Sequence, residues 1–293
     1  MIITIEFILR LIIRCAMQVP MIQHLLASQD GDLLPILHSE LNLDLDHCHW
    51  LAKFGAIYHN HKRVRGADTL VRAGDYLRVH SNPRRFPVSE VDWKKRLISE
   101  NADFIVIDKP FGVPTHASVD NLFENAAHQM SQALGCNIFV THRLDVATSG
   151  ILLLAKTKEF QKNFNKALQA GEVKKTYWAR VSGHLQQTGI IEHYMEPTTY
   201  LPKIVQIQPQ GGWLQCLLEI ESFKLEENSS LVVIRLMTGR THQIRAQMAA
   251  LGHPVLGDKI YGGPAPWETV EKIELSARSL RFRIGEDFEF TVR

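Results

Sequence analysis

The stretch THRLDVATSG, residues 141–150, sets a strong cation, Arg143, two positions from a carboxylate, Asp145, beside an apolar run. A carboxylate held by a guanidinium stays ionised in a closed, water-poor site, where it can act as a nucleophile or a base. A second cation, Arg245, follows His242 by three residues in THQIRAQMAALG, a spacing that puts both on one helix face. Tyr177, in KKTYWARVSG, adds a phenol. Taken singly, each has a plainer role. An R-x-D pair at a strand end is commonly a structural ion pair, Tyr177 would be cross-strand packing, and Arg245 a solvated helix charge. His142 and His242 read as hydrogen-bonding neighbours, and Lys109, which ends DFIVIDKP, as a turn or phosphate contact.

The elements that must position these groups follow from periodicity. NIFVTHRLD reads as a strand with Arg143 and Asp145 on one face and Leu144 in the core. Thr148-Ser149-Gly150 reads as the turn into a buried strand, ILLLAK. NLFENAAHQMSQALG and TKEFQKNFNKALQAG carry helical spacing, each with a glycine where a helix would stop. THQIRAQMAALG reads as a helix capped by Thr241, with Ile244, Met248 and Leu251 toward the core. VKKTYWARVSG, WLQCLLEIESF and SLVVIRLMT read as strands. Strands outnumber helices without regular βαβ alternation, so the fold class is α+β, built on a large mixed, mostly antiparallel sheet with flanking helices.

Length and composition allow a small domain and a larger one. The chain has 293 residues, 45% hydrophobic and 22% charged, as in ordinary globular proteins. Net charge is only +2, yet residues 53–85 carry eight Lys and Arg against two Asp, a basic face for an anionic partner. Four dispersed cysteines give neither a disulfide framework nor a cysteine zinc site, and fit a reducing cytoplasm. HCHW at 47–50 matches no compact metal-ligand spacing. No phosphate loop or dinucleotide fingerprint is present. Residues 1–21 are apolar but broken by Glu6, Arg10 and Arg14, against a membrane span or a signal peptide. They read as a short amphipathic helix or as lying upstream of the native start, with Met17 or Met21 as candidates. Residues 22–82 read as a small domain, 83–95 as a linker and 96–293 as the main domain.

Four segments in order, VIDKPFGVPTHAS (106–118), HRLDVATSG (142–150), KKTYWARVSG (174–183) and LMTGRTHQIRAQMAALGHPVLGDKIYG (236–262), resemble the RluA-type pseudouridine synthases. The resemblance implies isomerisation of uridine in RNA without metal or organic cofactor. It implies Asp145 as the essential catalytic group, Tyr177 beside the uracil and Arg245 paired with the aspartate. It gives Arg143 to extrusion of the target nucleotide, with His142, Lys109, Arg240 and His242 as further substrate contacts. Residues 54–80 resemble the second half of an S-four-like RNA-binding domain. The preceding helical part departs from that pattern, since Asp44, Asp46, His47 and His49 stand where relatives are basic. Residues 197–215 depart too, where relatives have a shorter link. The expected partner is RNA, large-subunit ribosomal RNA ahead of transfer RNA, for a cytoplasmic monomer without metal or membrane. From other classes stand a non-catalytic RNA-binding or ribosome-assembly protein and, more distantly, a nucleoside glycosidase, which would need two carboxylates.

Overall fold

Strict alternation builds the strands that carry the site. Along Lys174–Ser182, Lys175, Tyr177, Ala179 and Val181 are buried in turn, and along Ser229–Leu236 Val232, Ile234 and Leu236 are. The computed structural model describes residues 22–263 and 272–292, so the expectations for residues 1–21 lie outside the described residues. The chain forms two units. The first holds residues up to Arg85 together with Ala117–Phe123; the second holds Phe86–His116 and the chain from Glu124 onward.

The first unit runs β1 (Gln23–Leu26), β2 (Gly31–Asp32), α1 (Leu33–Leu41), α2 (Leu45–Phe54), β3 (Ile57–His59), β4 (Lys62–Arg63), β5 (Leu70–Val71) and β6 (Tyr76–Val79). Its antiparallel sheet has the order β1-β6-β3-β4. Leu33, Ile36, Leu37, Leu51 and Leu77 fill its core. The acidic run before α2 has a local cause: the Asp44 carboxylate caps that helix, accepting from the Asp46 N–H at 2.8 Å. The turn between β3 and β4 is made by Asn60 and His61, both at positive φ. Residues 117–123 are held here by the Tyr58 hydroxyl, donating to Val119 O at 2.9 Å, and by Arg84, whose Nε and Nη2 donate to Asp120 at 3.0 and 2.9 Å.

The second unit runs β7 (Leu97–Glu100), β8 (Phe104–Lys109), α3 (Ala126–Leu134), β9 (Phe139–Val140), β10 (Ser149–Ala155), α4 (Lys158–Gln169), β11 (Lys174–Ser182), β12 (Gly189–Met195), β13 (Val205–Gln206), β14 (Leu214–Leu225), β15 (Ser229–Leu236), α5 (Gln243–Ala250), β16 (Leu275–Ile284) and β17 (Glu286–Thr291). Its sheet has the order β13-β12-β14-β15-β11-β16-β10-β8-β7, antiparallel throughout this path except for β10 beside β16. The expected α+β class with a mostly antiparallel sheet holds. One cluster gathers Ile105, Leu152, Tyr177, Ile234 and Met248; another gathers Phe104, Phe160, Phe164 and Phe282.

Three local expectations change. Residues 86–95 are not a linker, because Val88 and Trp93 are buried in the main core. Helix α3 starts at Ala126, where Asn125 caps it, since the preceding residues belong to the first unit. The expected strand through Arg143 and Asp145 stops at Val140. Residues 141–148 bond to another loop instead of a ladder: the Leu144 N–H donates to Thr115 Oγ1, which donates to Leu144 O, both at 3.0 Å. Ser149 and Gly150 open β10 itself. Gly150 has φ +105°, and a Cβ there would lie 2.1 Å from Ala277 O, so only glycine lets β10 pair with β16.

Candidate active site

Asp145 lies in the loop before β10, with Leu144 inserted into the main core and Val146 exposed. Its carboxylate is about a quarter exposed, and Arg245 Nη1 stands 3.8 Å from Oδ2. Arg245 comes from α5 and is 4% exposed. Its closest partner is a residue without a role in the sequence reading. Asp258, fully buried, accepts from Arg245 Nε and Nη2 at 2.6 and 2.7 Å. The expected pair of Arg245 with Asp145 therefore becomes a chain in which Asp258 fixes the guanidinium and Nη1 is turned toward Asp145. Such a bidentate fork sets direction as well as charge.

Nη1 also donates to His242 Nε2 at 2.8 Å, and that nitrogen is 3.9 Å from Asp145. His242, not Thr241, occupies the cap position of α5, at φ +57° and without a side-chain cap. A non-glycine residue in that region is strained, and such strain gathers at working sites. The Gln243 side chain instead braces the turn that precedes the helix. Its Oε1 accepts from Arg240 N–H at 3.0 Å and Thr238 Oγ1 at 2.9 Å. Burial lowers the pKa of His242, Arg245 adding to it and Asp145 opposing. Ile244 and Met248 enter the main core and Leu251 packs against it.

Tyr177 is buried on β11. Burial first, and the negative charge of Asp145 second, push its phenol above the usual range, so it stays protonated. Arg143 is exposed, with Nη1 3.3 Å from His116 Nε2. Arg240 is also exposed, its Nε donating to Gln215 O at 3.4 Å.

Two expected substrate contacts are instead scaffold. His142 faces the aromatic cluster, its ring 6.0 Å from Phe164, and Nε2 accepts from the Leu153 N–H at 3.1 Å. Burial, then the Lys175 ammonium, push its pKa down to about 3, so it is neutral. Lys109 is fully buried. Its Nζ donates to Val113 O at 2.7 Å and Pro110 O at 2.9 Å, with Val146 O at 3.5 Å. It ties the 110–113 turn toward the neighbour of Asp145, and no phosphate reaches it. Burial pulls its pKa down to about 7, against the opposing charges of Asp145 and Asp108. Thr115, which fixes Leu144, and Asp258, which fixes Arg245, have no role in the sequence reading. Both lie within the segments that carry the resemblance, yet nothing in their types announced a partner.

A carboxylate beside a buried guanidinium, with a protonated phenol near enough to feel its charge, can do acid–base or nucleophilic work on a mostly antiparallel α+β scaffold. The chain matches the family model described as RNA pseudouridylate synthase over residues 103–250. It is 37% identical over 223 residues to RNA pseudouridine synthase 6, chloroplastic, of Oryza sativa subsp. japonica, covering 68% of this chain and 46% of that one. It is 32% identical over 212 residues to the uncharacterized RNA pseudouridine synthase YhcT of Bacillus subtilis, covering 70% of each. The solved structure titled Human RNA Pseudouridylate Synthase Domain Containing 1 superposes with a TM-score of 0.55 at 25% identity, over 67% of this chain and 82% of that one. The chain belongs to the RNA pseudouridylate synthase family. It spans about half the length of the plant relatives it matches.

Proposed function

We propose that this chain converts uridines of RNA to pseudouridine, with Asp145 as the catalytic carboxylate. The observation that supports this best is the Asp258–Arg245–Asp145 chain next to the protonated Tyr177. The reaction is an isomerisation. The bond from C1′ to N1 breaks and its electron pair stays on uracil. The base turns, C1′ bonds to C5, a proton leaves C5 and N1 takes one up. No redox step or outside group enters. Asp145 serves either by attacking C1′ or by removing a proton from C2′, and both routes need an anion at the ribose. Arg245 keeps that anion oriented, Tyr177 lies against the base, and Arg143 fills the stack that the target uridine leaves.

Large-subunit ribosomal RNA is our first choice of substrate, with the first unit acting as an S-four-like RNA-binding module and the reaction located in the cytoplasm. The basic stretch 53–85 supports an RNA contact there. Transfer RNA is the other choice; a 30% identical relative from Saccharomyces cerevisiae is named tRNA pseudouridine(32) synthase, mitochondrial. The test is to map pseudouridines in total RNA with and without the gene, restoring it as wild type or as Asp145→Asn. A site lost with the gene, regained with wild type and not with Asp145→Asn, supports the assignment and names the RNA. Regain with Asp145→Asn, which should still bind RNA, refutes it.

A further inference from the structure

The hydrogen-bond donors around His242 can be counted. Arg245 only donates, so His242 Nε2, 2.8 Å from Nη1, carries a lone pair. The neutral ring then holds its proton on Nδ1, which faces the Tyr261 hydroxyl at 3.2 Å and donates to it. The Lys203 backbone N–H also donates to that hydroxyl, at 2.9 Å. Both neighbours being donors, the Tyr261 oxygen accepts twice. Its own hydrogen has no acceptor among the described residues.

That hydrogen is close to the chemistry. The Tyr261 ring lies 5.3 Å from the Arg245 guanidinium, whose Nη1 is 3.8 Å from Asp145. Tyr261 is half-buried, and burial, with the charges of Asp258 and Asp145, raises the phenol pKa. It thus remains a donor at neutral pH. A fixed, uncharged, single donor suits a carbonyl oxygen, whereas phosphates are better served by the exposed guanidinium groups of Arg143 and Arg240.

We propose that Tyr261 is a second substrate-contacting phenol, donating its hydroxyl hydrogen to a carbonyl oxygen of the target uracil. This rests on the uridine-isomerising reading of the site. When the bond from C1′ to N1 breaks, the charge left on uracil spreads onto O2 and O4. A donor already fixed in place stabilises that charge without reorganising. It also holds one edge of the detached base while C5 turns toward C1′.

The test compares the full-length wild type, Tyr261→Phe and a protein with 3-fluorotyrosine at position 261. Single-turnover rates are measured at saturating enzyme on an RNA that the wild type modifies. Tyr261→Phe should lose roughly 10²-fold in rate, as removal of one such donor does elsewhere, with RNA affinity changed by less than about 3-fold. Fluorotyrosine keeps the accepted bonds but ionises at lower pH. Its rate should therefore decline at a lower pH than the wild-type rate, a displacement that a merely structural role would not produce. A Tyr261→Phe rate within about 3-fold of wild type, a loss confined to affinity, or an unmoved profile for fluorotyrosine overturns the proposal. A wild type that modifies no RNA overturns the proposed function instead.

Discussion

Replacing Arg245 by Met leaves two carboxylates without their cation, and the structure says which matters for stability. Coulomb attraction at an effective dielectric near 20 is roughly 6 kcal/mol at the 2.6 Å to Asp258 and roughly 4 kcal/mol at the 3.8 Å to Asp145, before desolvation. Burial widens the gap. The Asp258 side chain is 0% exposed and that of Asp145 is 26% exposed, so water can take over only for Asp145. Breaking one partner of a buried pair costs about 3–5 kcal/mol. For a unit of this size that corresponds to a fall in Tm of about 6–20 °C. The cost should sit on Asp258, so Arg245→Met combined with Asp258→Leu should regain at least about half of it, while neither protein regains activity. Thermal unfolding by circular dichroism of wild type, both single variants and the double variant reads this directly. An Arg245→Met protein within about 1 kcal/mol of wild type, or a double variant no better than Arg245→Met, would refute the reasoning.

Lys109 predicts a pH signature. Its folded pKa, about 7, lies below the 10.5 of a free lysine, so the unfolded chain binds more protons between those values and stability rises with pH across that window. Urea unfolding at pH 7 and pH 9 should show Lys109→Met lacking about 2 kcal/mol of that rise; equal rises in both proteins would exclude a buried titrating amine. Arg143→Ala should be badly impaired on a folded stem-loop and much less on an RNA whose target uridine is already unpaired, measured by single turnover. Equal losses on both would move Arg143 into the chemistry. The exposed side chains of Lys62, Arg65 and Arg72 should each neutralise a phosphate. Changing all three to Gln should lower the salt slope of RNA binding by about 2, at ~0.7 per contact, and an unchanged slope would deny the first unit an RNA role.

What the sequence disclosed was chemistry and periodicity. Asp145, Tyr177 and Arg245, separated by up to a hundred positions, do come together, with Arg245 3.8 Å from Asp145 and Tyr177 within reach of its charge, and Leu144, Ile244 and Met248 are buried as their spacing required. What it concealed depended on tertiary partners. The loop 141–148 has strand-like composition, yet a single hydroxyl, Thr115, takes both backbone groups of Leu144. Thr241 is a good capping residue, but the cap position falls on His242 at positive φ, while Gln243 turns back to bond the Arg240 N–H in the preceding turn. Asp258 looks like any loop aspartate until the fold brings it under Arg245. Of the two readings of Lys109 the turn contact holds, and His142, which the resemblance gives to the substrate, is committed to the scaffold by burial.

Residues 117–123 give the first unit an unusual birth order. Asp120 and Asn121 are 5% and 1% exposed within it, and the Asn121 side chain donates to Arg84 O at 2.9 Å. During synthesis, the nascent chain up to Arg85 therefore lacks pieces of its own structure. Its full set of contacts can exist only after the opening strands of the next unit and Phe123 have been made. A truncation ending at Arg85 would expose a permanently unfinished surface, and one starting at Phe86 would carry seven residues whose burial site is missing. The two units are separable as packing entities but not as genetic cassettes.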